Sequence, residues 1–380
     1  MSTSILRPIV IPAELVGQPA PCDLYNANGV LLLRAGALIS RSRRDPSQPL
    51  RFHCPAPFAA RLSQAQPSRE LADIAAGLTG ISERLTRGAP VSAAELRRLA
   101  ADLLAAWLVD PDACLGLTRL QRYPRASVRH SIHTGLLALE AGSASGVPSS
   151  GLTTLAGAAL SMNLARLALH DEMAEHNGTP DEAQRRALDS HPVDSARLLR
   201  RIGGGCEDWL PTVLCHHENV DGSGYPSGLR GASIPLTARI LRIADSLAAR
   251  LSGRKGRGPV YWNLNHAGDL ALLSRHVFAG DLARFDKALV HQLMRALSPF
   301  PPGSLVRLSN RELAVVTRRL FGRATRPRYV LAIADAHGRP IAAPELRQIG
   351  PGLLSIRAYA HDEPNVHQTY AWDRAWGYEI

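Results

Sequence analysis

From Ala141 to Ala165 the chain carries no charged residue, and that stretch limits the folds open to it more than any other. A run of this kind either crosses a membrane or lies inside a core. Ser, Gly and Thr recur through it and Pro148 interrupts it, which suits two buried helices better than one span. From about 121 to 298 apolar side chains keep helical spacing almost throughout. The expected centre of the protein is a bundle of helices.

On either side of that centre the pattern changes. In "CDLYNANGVLLLRAG", Asn28-Gly29 sits between two apolar runs, the strongest short hairpin signal, so residues 1–65 read as a small β-rich unit. Residues 66–120 read as a helical linker, with a reciprocal cap of Ser92 and Glu95 starting a helix within it, and as a candidate pairing surface in a homodimer. Thr179, Pro180 and Glu182 mark a further helix start. After "SPFPPGS", short runs of Val, Leu and Ile broken by Asn, Gly and Pro make 300–380 a second β-rich unit. The expected fold class is mainly α, with a central helical bundle over 121–299 flanked by small β-rich N- and C-terminal units.

Five cysteines, odd in number and without a Cys-x-x-Cys pair, argue against a disulfide framework or a Cys-based zinc site and for a reducing, cytoplasmic compartment. The opening "MSTSILRPIVIPAELVG" is broken by two prolines, so neither a signal peptide nor a membrane span is expected. A formal net charge of +11 favours an anionic partner. The basic residues are nearly all Arg and scattered, and "RSRRDPSQPLR" reads as a solvated loop, so no nucleic-acid partner is expected. His53 and Cys54 are adjacent but alone, and read as a buried turn.

The chemistry concentrates in "LCHHENVDGSGYPSGLRG", residues 214–231. Neutral imidazole is the commonest protein metal ligand, and Gly with Pro can fix a loop close to whatever His216 and His217 hold. The thirty residues 216–245, "HHENVDGSGYPSGLRGASIPLTARILRIAD", resemble the HD-GYP family of cyclic-di-GMP phosphodiesterases. "HSIHTGLLALEAG" is similar to that family's first histidine helix and "SHPVDSARLLRRIG" to its His-Pro segment. The resemblance implies an HD-type helical domain with two or three metal ions, in which His130, His191, His216, His217 and Asp245 are ligands. It also implies hydrolysis of cyclic-di-GMP by a water that two cations acidify.

The defining pair of that family is missing. Where members carry His-Asp-x-Gly-Lys, this chain has "ALSMNLARL", with Met162 on the His, Asn163 on the Asp and Arg166 on the Lys. A thioether and a neutral amide cannot replace a bridging carboxylate for hard cations. The family's earlier acid falls on Ala126 and a later one on Ala248. The literal His170-Asp171 would need an eight-residue insertion to align, although His170, Asp171 or Glu218 is open to recruitment. The retained His191, His216 and His217 suffice for one divalent ion of iron, manganese or zinc.

By the same resemblance, Asp221, Gly224, Tyr225 and Pro226 of the glycine-rich loop and Arg254 and Arg257 beyond it are the expected ligand-binding residues. The expected function is that of a degenerate member of the family. Its catalysis is impaired, and it acts as a receptor for cyclic-di-GMP or through protein contacts, with GGDEF-domain proteins as candidate partners. The alternative is an active metal-dependent phosphodiesterase with a remodelled site.

Overall fold

The structure is a computed structural model that describes residues 5–11, 15–27, 29–40, 51–56, 58–59, 66–121, 123–175, 180–203, 206–252, 278, 282–319, 327–360 and 371–378. The chain divides into two compact units, one of residues 1–68, 108–121 and 300–380, the other of 69–107 and 122–299. The four segments drawn from the sequence are thus regrouped: both β-rich flanks fall in one unit, and the helical linker is shared between the two.

The helical unit holds α1 (Pro67–Thr86), α2 (Ala93–Val109, up to Trp107), α4 (Ala126–Ala144), α5 (Ser149–Ser161), α6 (Leu167–Glu175), α7 (Glu182–Ile202), α8 (Leu210–Cys215), α9 (Leu236–Ser252) and α10 (Lys287–Leu297). Its centre is α4, buried around almost its whole circumference and packed on α5, α9 and α10. Small residues allow this closeness. A Cβ on Gly135 would lie 2.7 Å from a Leu103 methyl, and one on Gly142 would lie 2.6 Å from Leu155. Glu140, buried on the same helix, accepts a hydrogen bond from the Trp107 indole at 2.8 Å. The uncharged stretch does form two helices, α5 and the end of α4. Ser149–Glu175 is apolar enough to pass as a membrane span, but 67% of its apolar window is buried inside the protein.

The cap of α2 is as expected: Ser92 accepts from the Ala94 amide at 3.1 Å, and Glu95 accepts from the Ser92 amide at 3.0 Å. The start of α7 differs. Its cap is Asp181, in a capping box with Gln184, one residue beyond Pro180, while Thr179 lies outside the described residues. Asp and Thr are both favoured at the N-cap, Asp somewhat more, so residue type separates neighbouring candidates only weakly.

The other unit is built on two antiparallel sheets and α3 (Pro111–Leu120). The first sheet comprises β1 (Leu6–Val10), β2 (Leu24–Tyr25), β3 (Leu31–Leu33) and β4 (Arg51–Pro55) in the order β1-β4-β2-β3. The predicted hairpin joins β2 to β3, with Gly29 at φ +70 next to Asn28, which is outside the described residues. His53 and Cys54 lie in β4 and not in a turn; the strand places Cys54 in the core. The second sheet comprises β5 (Leu305–Leu308), β6 (Leu313–Val315), β7 (Tyr329–Ala334), β8 (Pro340–Gln348) and β9 (Ile356–Tyr359), ordered β8-β7-β6-β5-β9. Helix α3 fits this unit closely, since a Cβ on Gly116 would fall 2.0 Å from the Trp376 ring. All five cysteines are buried and none forms a disulfide among the described residues.

Candidate metal and ligand site

Two proline and helix-end effects set the histidines. Pro192 lies inside α7 and has no N–H, so the Leu188 carbonyl four residues back loses its helical donor. The Nδ1 of His191 takes that carbonyl instead. Helix α8 stops at Cys215, and the Nδ1 of His216 meets the Val213 carbonyl, in that last turn, at 2.6 Å. A carbonyl only accepts, so both rings carry their proton on Nδ1 and present a bare Nε2.

Those two Nε2 atoms face each other at 3.0 Å. Two lone pairs at that distance repel unless a proton or a cation lies between them. Protonation is opposed: burial lowers the pKa of His191, and burial followed by the neighbouring His191 pushes His216 down to about 3. His217 completes the group, its ring centroid 4.3 Å from His216 and 4.8 Å from His191, and its pKa too is held low by burial and then by His216. One ligand atom from each of the three lies within 4.8 Å of the others. This donor set fits one divalent cation with nitrogen preference.

Asp245 of α9 is buried and accepts from His130 Nε2 at 2.8 Å. Burial alone would raise its pKa, but the His130 hydrogen bond and charge, with His217 and His216 behind, hold the carboxyl well below its usual range. Four of the five expected ligands, His130, His191, His217 and Asp245, wall one cavity of about 320 Å³, and His216 lies buried against His191 and His217 without being part of the wall.

The replaced positions separate. Asn163 lines the cavity, is buried, and its Oδ1 has no hydrogen-bond partner among the described residues. Met162 is fully buried at the end of α5 and is not among the cavity walls. Arg166 turns to Asp194 of α7 at 2.8 Å. The candidates for recruitment divide in the same way. His170 lines the cavity and stacks on His130 with centroids 5.6 Å apart. Asp171 accepts from Arg125 at 2.7 Å and from the Ser127 amide at 2.8 Å, which ties up the first turn of α4. Glu218 is buried and takes the amides of Ser227 and Leu229 at 2.6 and 2.9 Å, so it closes the glycine-rich loop on itself.

That loop contributes fewer ligand contacts than its composition suggests. Tyr225 lines the cavity and stacks on His217 at 4.8 Å and 17°. Asp221 is exposed and accepts from the Ser223 amide and hydroxyl, forming a local turn outside the cavity, and Pro226 is also exposed and is not a wall. Gly224 is there for space: a Cβ would sit 2.3 Å from the Asn219 nitrogen and 2.5 Å from the Glu218 Cα. Gly224→Ala is expected to cost about 1–3 kcal/mol, the scale of overpacking, and to weaken metal uptake because His217 precedes the displaced backbone. Thermal melts with and without Mn²⁺ check this; an unchanged melting temperature would contradict it. Arg254 and Arg257 lie outside the described residues. Sequence reasoning did not single out Arg129, Arg185 and Asp189, which also line the cavity. Half-buried or exposed arginines and aspartates on helices carry no local signal of such a place.

Comparison with known proteins agrees with this geometry. A family model described as HD domain matches residues 114–265. The chain is 25% identical over 264 residues to a cyclic di-GMP phosphodiesterase of Pseudomonas aeruginosa, covering 68% of this chain and 56% of that one. It is 31% identical over 147 residues to the 3'3'-cGAMP-specific phosphodiesterase 1 of Vibrio cholerae, covering 36% and 32%. It is 33% identical over 138 residues to the cyclic di-GMP phosphodiesterase response regulator RpfG of Xanthomonas campestris, covering 35% and 33%. The chain spans from about a third to just over half the length of these relatives.

Proposed function

The chain belongs to the HD-GYP family of HD domains, and from that premise we propose that it is a catalytically impaired member that works as a receptor for a cyclic dinucleotide. One observation carries the reading: the bridging position holds Asn163, a buried neutral carbonyl oxygen with no hydrogen-bond partner among the described residues, and three of the acids around the site are already engaged. Asp171 is held by Arg125, Glu218 by the loop amides and Asp245 by His130. His191, His216 and His217 would hold a single divalent ion, which when bound supplies Lewis-acid polarisation of a phosphate oxygen. Around it, Tyr225 and His170 wall the cavity and His130 fixes the Asp245 carboxylate. A site of this kind binds and orients a phosphodiester more readily than it cleaves one.

Cyclic di-GMP and 3'3'-cGAMP are the candidate ligands, being named for two of the relatives. GGDEF-domain proteins remain candidate partners, reached through the glycine-rich loop that Glu218 closes. The remodelled-enzyme reading has one observation in its favour, the presence of His170 in the cavity. Calorimetric titration of cyclic di-GMP into the purified chain, with and without Mn²⁺, decides between them. The expected result is saturable heat without turnover. Sustained heat that depends on Mn²⁺ would overturn the receptor and establish the enzyme, and the absence of heat in either condition would leave only a protein-contact role.

A further inference from the structure

Two basic residues in the cavity wall have no part in the metal site: Arg129 of α4 and Arg185 of α7. With His170 of α6 they bring basic side chains from three helices to one small space. Two acids stand against them, Asp189 and Asp245, and Asp245 is bonded to His130. A divalent ion on the triad leaves the whole lining net positive. The wall therefore favours an anion over a neutral ligand.

Of the arginines on α7, Arg185 is the one that lines the cavity. Arg186 pairs with Glu182 at 3.1 Å and Arg197 with Asp194 at 3.1 Å, whereas Arg185 makes no ion pair among the described residues, although Asp189 stands one turn on. A guanidinium is a planar fork of N–H donors that matches two phosphate oxygens. The volume, about 320 Å³, is at the small end of ligand pockets, which run from roughly 300 to 1,000 Å³. It suits one nucleotide unit, so a cyclic dinucleotide would enter with one half.

We propose that Arg129 and Arg185 bind the phosphate of a nucleotide seated in this cavity. The assignment rests on the reading of the cavity as the ligand site. It predicts that one phosphate-bearing half of the ligand supplies most of the recognition. A 5′-mononucleotide then binds where the uncharged nucleoside does not.

The test is calorimetry on the full, Mn²⁺-loaded chain with cyclic di-GMP, guanosine 5′-monophosphate, guanosine and inorganic phosphate as probes. Arg129→Ala and Arg185→Ala should each weaken nucleotide binding by about ten-fold or more, the scale of one hydrogen bond to a charged group, at unchanged manganese content. Arg185→Lys should recover part of the loss, because charge returns without the fork. Inorganic phosphate that competes with the mononucleotide, and loses its hold in the same two variants, supports the contact and assigns it to phosphate and not to the base. Arg185 is exposed and its replacement should not disturb folding, so it decides the matter if Arg129→Ala melts early. Wild-type binding left unchanged in Arg185→Ala would overturn this assignment and leave the receptor standing. A wild-type chain that binds none of the nucleotides would remove both.

Discussion

Asn163→Asp combined with Met162→His is expected to raise Mn²⁺-dependent hydrolysis of cyclic di-GMP by at least about 100-fold, or about 2.7 kcal/mol off the barrier. The expectation starts from the orphaned Oδ1 of Asn163, which already sits in the cavity wall. Aspartate has the same shape there and adds the anion that two cations can share. Met162 is fully buried beside it, outside the wall, so its histidine must find a new rotamer; the pair is therefore changed together. Asn163→Asp alone separates metal from folding. Without an ion the new carboxylate is a buried charge without a dedicated partner and should lower the melting temperature. With Mn²⁺ the order should reverse, since the ion binds only the folded chain. A double variant within about threefold of a measurable, Mn²⁺-dependent wild-type rate would mean that the natural site is already working, with His170 in place of the lost histidine.

How far the sequence disclosed this site depended on how local each signal was. His191-Pro192 and His216-His217 are informative because their geometry is set within four residues: a missing proline N–H and a helix end each offer a carbonyl to Nδ1 and so fix the tautomer. Asp221 misled for the opposite reason. A carboxylate before Gly222-Ser223 can serve a ligand or make its own turn, and here it makes the turn. Glu218 looked available beside two histidines, but the loop that it closes lies nine and eleven residues on. The division of the chain into units was the least legible feature. Asp110 and Asp112, at the start of a helix in what reads as a linker, belong with Arg318 and Arg319 more than two hundred residues later. No periodicity or spacing announces that pairing, because it is satisfied only when distant segments meet.

That same pairing carries the second large expected effect. Arg318→Ala should destabilise the sheet-bearing unit by about 3–5 kcal/mol, because it leaves Asp110 a fully buried carboxylate without its counter-charge. Asp110 accepts from the Ala113 amide at 3.0 Å, from the Tyr378 hydroxyl at 2.9 Å and from both ends of the Arg318 fork. Burial pushes the Asp110 pKa up, yet Arg318 and these hydrogen bonds bring it below its ordinary 3.8. In the wild type the carboxylate thus adds stability above about pH 4 that is lost on acidification. Without Arg318 the burial effect is opposed only by the Ala113 and Tyr378 hydrogen bonds, the folded-state pKa is expected to move above the unfolded one, and stability then falls as pH rises through that interval. The gap between wild type and variant should accordingly be widest near neutral pH and shrink toward pH 4, which denaturant melts across that range would record. Asp110→Ala combined with Arg318→Met should recover much of the loss, since removing both charges also removes the uncompensated one. A pH-independent gap would mean that Arg318 acts through the packing of its stem and not through its charge.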